Sequence, residues 1–157
     1  SDLSIFGYAN FIFGSPIALA PGGNFAVAQR LETPTGPNLH ITQFIGTTET
    51  TFPAAGISNF IQTVAMGQSG GIAYAAADNF DSRGIFSGPD NAMDAILLPN
   101  QTIPEAFRRA VNGTVHDIAD DGSAILTIIT DSGESFLAKA IPLPSVVDLI
   151  NPSFVDG

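Results

Sequence analysis

Cysteine is absent from this chain, which excludes a disulfide framework, a thiolate metal site and a cysteine nucleophile together. Tryptophan is absent too, and charge is scarce: 13% of residues are charged, about half the usual share. The surface must therefore be covered largely by Thr, Ser, Asn, Gln, Gly and Pro. Positive charge is the scarcest kind, with 5 Lys and Arg against 15 Asp and Glu and a net charge of −10. A field of that sign repels nucleic acid phosphates and anionic head groups, so neither is an expected partner. Arg108-Arg109 is the one adjacent basic pair, too small for an electrostatic footprint. Long apolar runs are also missing. With no stretch of about twenty uninterrupted apolar residues, no membrane insertion is expected. A single lysine, Lys139, and abundant Gly, Thr and Asn fit an extracellular or cell-surface protein, and an opening on Ser1 fits a mature product freed of its leader.

What the chain does have is a short pattern written three times. It runs through Leu19 to Val27, Met66 to Tyr74 and Ile118 to Leu126, anchored on Gly23, Gly70 and Gly122. Each copy places an apolar residue four positions before the glycine, a small residue three before it, and an apolar run from two after it. A second glycine follows in each, at Gly36, Gly84 and Gly133. The first glycines lie 47 and 52 residues apart and the second 48 and 49. Periods of this size are the mark of a repeat architecture, and 157 residues make one domain of it, 1–157.

Around these glycines the reading is strand and turn. Phe25 to Leu31 and Leu39 to Ile45 are strand-like, with the prolines and glycine of 32–38 expected to make a long loop between them. Period-two alternation in Phe25, Val27, Gln29, Leu31 and in Leu39, Ile41, Gln43, Ile45 predicts one mostly apolar hairpin face. Ile72 to Ala77 with Gly84 to Phe86, and Ala124 to Thr130 with Glu134 to Ala140, are the equivalent hairpins. A short strand precedes each anchoring glycine, at Ile17 to Ala20, Gln62 to Met66 and Val115 to Ala119. The expected fold is all-β: three antiparallel meander repeats of about 48 residues. Helix is confined to two turns over 103–111, where Pro104 suits a first helical position and Asn112-Gly113 an end, and to a short turn or extended tail over 144–152, within a C-terminal tail of 142–157. Residues 1–14 are an aromatic-rich strand, either opening the first repeat or exchanged with another molecule.

The glycine anchors, Gly84-Ile85-Phe86-Ser87-Gly88-Pro89-Asp90 and Ala119-Asp120-Asp121-Gly122-Ser123-Ala124-Ile125-Leu126 resemble exported bacterial tandem-repeat proteins of the NxxGxxAF, choice-of-anchor type. The signature asparagine is replaced here by Ala20, Gly67 and Ala119. The resemblance implies propeller-like blades and an extracellular location, and it brings no catalytic residues. Propellers close with about four to eight blades, whereas this chain supplies three. The alternatives are closure by several chains, exchange of an N-terminal strand, or self-closure as a β-trefoil or β-prism.

Candidate chemistry is thin. His40 and His116, the only imidazoles, lie in strand-like runs and read as surface or structural residues. Asp117 to Gly122 begins like a calcium loop, but Ala119 and Ile128 stand where ligands are required. Ser132-Gly133 does not sit in a G-x-S-x-G elbow, and no phosphate-loop lysine follows Gly22-Gly23 or Gly70-Gly71. Asp78, Asp81, Asp131 and Glu134 occupy matching hairpin loops and are the candidate binding residues for metal or glycan. Asn100-Gln101-Thr102 and Asn112-Gly113-Thr114 match glycosylation acceptors. The reading is a non-enzymatic, self-assembling extracellular subunit with no cofactor, of surface-layer or filament type. Its partners are copies of itself, joined at strand edges through Leu3, Ile5, Phe6, Phe11, Ile12 and Phe13. A carbohydrate- or surface-binding module is the alternative; an enzyme ranks last.

Overall fold

The computed structural model of the chain describes residues 16–33, 36–55, 60–79, 82–90, 93–103 and 108–142. They form an all-β structure of three four-stranded antiparallel sheets. Sheet 1 holds β1 (Ile17–Leu19), β2 (Phe25–Thr33), β3 (Gly36–Ile45) and β4 (Thr48–Pro53) in that order. Sheet 2 repeats the order with β5 (Phe60–Met66), β6 (Ile72–Asn79), β7 (Ser82–Phe86) and β8 (Ala95–Leu97). Sheet 3 comprises β9 (Thr102–Ile103), β10 (Arg108–Ile118), β11 (Ala124–Thr130) and β12 (Ser135–Ala140), again in sequence order.

Sheet 2 lies between the other two, since it alone contributes buried residues to both apolar clusters. Its middle strand β6 begins Ile72-Ala73-Tyr74-Ala75-Ala76-Ala77, a run without polar relief that suits a strand buried on both sides. Ile72, Tyr74 and Ala76 join Ala18, Ala26, Ala28 and Ile41 of sheet 1 in one cluster. Ala73 and Ala75 join Val115, Ala124, Leu126 and Ile128 of sheet 3 in another. Alternating side chains thus divide one strand between two cores.

The three anchoring glycines do one local job. Gly23, Gly70 and Gly122 have φ of +87°, +95° and +81°, a region that costs an L side chain about 1–2 kcal/mol. In each turn the glycine amide donates to the carbonyl three residues back: Ala20 at 3.3 Å, Gly67 at 3.1 Å and Ala119 at 2.9 Å. The amide of that same residue then donates to the carbonyl just after the glycine, on Asn24, Gly71 or Ser123, at 2.8 Å each time. Gly133 (φ +81°) closes the β11–β12 hairpin with the same bonds, from its amide to Thr130 and from the Thr130 amide to Glu134.

Four expectations are corrected. The loop over 32–38 is mostly ladder, since Glu32 pairs with Pro37 and Thr33 with Gly36; a proline near a strand's start removes little from the pairing. That register places Phe25 opposite Phe44 and Ala28 opposite Ile41, so the two apolar sets fall on opposite faces of sheet 1. A one-residue change in hairpin register is enough to do this. Of the helix expected over 103–111, the described residues are strand: Ile103 belongs to β9, and β10 begins at Arg108. Ala110 is instead fully buried and paired with Thr130, tertiary packing having overridden local propensity. Asn112-Gly113 accordingly lies inside a strand beside a register shift, not at a turn.

Candidate functional site

Of the predicted binding residues, Asp131 and Glu134 are described with their side chains. Asp78 belongs to β6 and Asp81 lies outside the described residues. Asp131 and Glu134 share the tip of the β11–β12 hairpin, where they serve the turn. The Asp131 amide donates to the Arg109 carbonyl at 3.0 Å. Glu134 Oε2 accepts from Ser132 Oγ at 2.9 Å and faces Arg108 Nε at 4.0 Å, with both side chains more than half exposed. An exposed ion pair of that length contributes little. Among the described residues no group of three or more His, Asp or Glu could hold a metal ion.

The other polar candidates are also occupied by local structure. His40 Nδ1 lies 3.2 Å from the Asn38 carbonyl, and His116 Nε2 is 2.7 Å from Thr127 Oγ1. In the stretch that begins like a calcium loop, each carboxylate takes a different protein donor. Asp117 Oδ1 accepts from the Ile118 amide at 2.9 Å, and Asp120 Oδ1 from the Ser69 amide at 2.8 Å. Asp121 accepts the hydroxyl and the amide of Ser123; these bonds hold its pKa below the usual carboxylate value. Asn100 sits in a turn with φ +62°. Asn112 Oδ1 accepts from Arg83 Nη1 at 3.3 Å, which ties sheet 3 to sheet 2.

Two arrangements remain that the sequence did not disclose. The first is a row of linked glycine turns. Asn24 accepts the Gly46 amide at 2.9 Å and donates to the Gln68 carbonyl at 3.1 Å, joining the first turn to the second; Ser69 and Asp120 join the second to the third. Removing the Asp120 carboxylate in Asp120→Ala deletes the Ser69 amide bond that joins the second and third turns. The expected loss is about 0.5–1.5 kcal/mol in a urea unfolding curve, with the slope unchanged.

The second arrangement is a free strand edge beside an apolar groove. In sheets 1 and 2 the third strand carries a fourth on its outer edge, β4 on β3 and β8 on β7. Sheet 3 places its extra strand, β9, on the opposite side, against β10. Among the described residues nothing pairs with the outer edge of β12. Beside that edge lies a groove of about 460 Å³ whose walls include Phe136, Ala138 and Ala140 of β12, Leu126 of β11, and Ile96 and Leu97 of β8. Phe136 is 39% and Leu137 77% exposed. The assembly residues predicted from sequence, Leu3 to Phe13, lie outside the described residues. No protein-family model, curated protein or solved structure matches the chain.

Proposed function

We propose that the protein is a non-enzymatic structural subunit, an arc of three propeller-like blades that associates with further copies through strand edges at the cell surface or outside the cell. The observation that carries this reading is the outer edge of β12, unpaired among the described residues, alongside its apolar groove. A strand edge next to exposed apolar surface is a pairing template, and chains that remain monomeric blunt such edges with charge, proline or a covering element. Between Ser135 and Ala140 the only charge is Lys139.

The arc is favoured over a self-closed trefoil or prism because each sheet is hydrogen-bonded within itself and meets the next by stacking. Blades that stack face to face need more than three to close a ring. The resemblance to exported tandem-repeat proteins agrees with this reading, as do the low charge and the absence of cysteine. The reading is tested by sedimentation velocity on the full chain over a wide concentration range. The expected result is a species heavier than the 16.3 kDa chain that dissociates on dilution. A monomer at every concentration would overturn it.

A further inference from the structure

We propose that the groove along β12 is a strand-acceptor site, and that its occupant is the apolar arm of residues 3–13 from a second copy of the chain. The inference rests on the assembly reading above and adds to it the donor, the acceptor and the direction of linkage. Two stretches of this chain lie outside the described residues and are apolar enough to serve, 1–15 and 143–157. Geometry separates them. The ladder of β12 on β11 ends with Ala140 opposite Ala124, and the chain then runs straight on. A Cβ added to Gly122 would lie 2.9 Å from Pro142, which is where continued register puts that residue. The chain does not reverse here as it does between β3 and β4, where Gly46 turns it with φ +59°. Ile141 and Leu143 each precede a proline, which biases both toward extended backbone and away from a tight turn. Up to Pro142 the described chain therefore runs on past the end of the sheet instead of turning back along its edge.

The arm has the right pattern for the acceptor. Leu3, Ile5, Phe11 and Phe13 fall on one side of an extended strand, with only Gly7 and Ala9 between them. Laid against β12, that side fills an apolar groove while the backbone completes the open ladder, the arrangement of strand addition. With Phe11 and Phe13 seated in the groove, the arm cannot serve its own chain in this way. It enters sheet 1 at Ile17, and sheet 3 lies beyond sheet 2, about two stacking distances or roughly 20 Å away. The three linker residues 14–16 span at most about 10 Å. Donation is consequently between molecules, and each copy offers an arm on its first sheet and an acceptor on its third. Such a head-to-tail contact is heterologous, giving a ring if the rotation closes and a filament if it does not.

A rival seat for the arm is the outer face of its own sheet 1, where Val27, Gln29 and Thr42 are buried yet belong to neither apolar cluster. Cross-linking separates the two, and the native chain contributes no thiol of its own. Ala138→Cys in one full-length chain is mixed under mild oxidation with Leu3→Cys, Ile5→Cys, Phe11→Cys or Phe13→Cys in another, and Ser4→Cys serves as a control from the opposite side of the arm. Paired neighbouring strands bring Cα atoms within disulfide range. A covalent heterodimer is expected in at least one of the four mixtures and not with Ser4→Cys. Cross-links that form only when both cysteines are on one chain, or none in any mixture, would overturn the proposal. If unmodified chains still associate in sedimentation while no mixture cross-links, the assembly reading stands and the arm-to-groove assignment fails; if they sediment as monomers, both fail. Circular dichroism matching the unmodified chain verifies that each variant is folded.

Discussion

Tyr74→Ala should cost roughly 3–5 kcal/mol, the range for emptying a buried aromatic site, and Tyr74→Phe about 1–3 kcal/mol. Tyr74 is fully buried at the junction of sheets 1 and 2, with the Phe86 and Phe52 rings 6.0 and 6.5 Å away. Its hydroxyl accepts the Ala55 amide and donates to the Gly88 carbonyl, both at 2.7 Å. One phenol oxygen thereby pins the segments that follow β4 and β7. Phenylalanine keeps the packing and strands both backbone groups; alanine loses the packing as well. Burial pushes the hydroxyl up to about 12, with the Ala55 amide opposing and the Asp94 carboxylate adding to the rise. An unfolded tyrosine titrates near pH 10, so between about pH 10 and 12 the folded chain holds a proton that the unfolded chain releases. Stability from this group is complete below that window and falls as pH rises through it, by about 1.4 kcal/mol per unit. Urea unfolding at pH 8 and pH 11 should show this extra alkaline loss in the native chain and not in Tyr74→Phe. Equal losses in both would contradict the assignment.

The junction of sheets 2 and 3 should be as sensitive to addition as the first is to deletion. Gly113 of β10 faces β7 so closely that an added Cβ would lie 2.8 and 2.9 Å from Ile85 and 3.1 Å from Leu97. Both neighbours are buried, at 0% and 3% exposure, and have little room to give. Gly113→Val should therefore cost about 1–3 kcal/mol by overpacking, and Ile85→Ala about 2–5 kcal/mol by leaving a cavity. Combined, they should cost less than the sum of the two, because each relieves the fault of the other. Strict additivity in thermal or urea unfolding would show that β10 and β7 do not meet as described.

Much of the strand order was legible because local chemistry dictates it. Asp131-Ser132-Gly133 suits a tight hairpin turn, and the largely apolar run Ala124 to Thr130 before it is β11 to the residue. The turns at Gly23, Gly70 and Gly122 were legible for the same reason. What was missed had no local signal. β4 is exposed along nearly its whole length, so Thr48 to Pro53 carries no alternation to detect. β8 and β9 span three and two residues, and the chain's helical signal at Pro104 pointed elsewhere. The Tyr74 bonds join residues 14 and 19 positions away, a pairing set only by how the sheets stack. The groove beside β12 had no sequence signal, since part of its wall, Ile96 and Leu97, belongs to β8 in another sheet.

Amide hydrogen exchange along Ser135–Ala140, measured at low and high protein concentration, tests strand-edge association most directly. In a dilute sample the outer-edge amides of β12 should exchange within the fast class of frayed or unpaired backbone, whereas β6, enclosed by both neighbouring sheets, remains protected. At high concentration protection should rise in β12 and stay constant in β6. Exchange in β12 that is fast and unchanged across the whole series would contradict assembly through this edge.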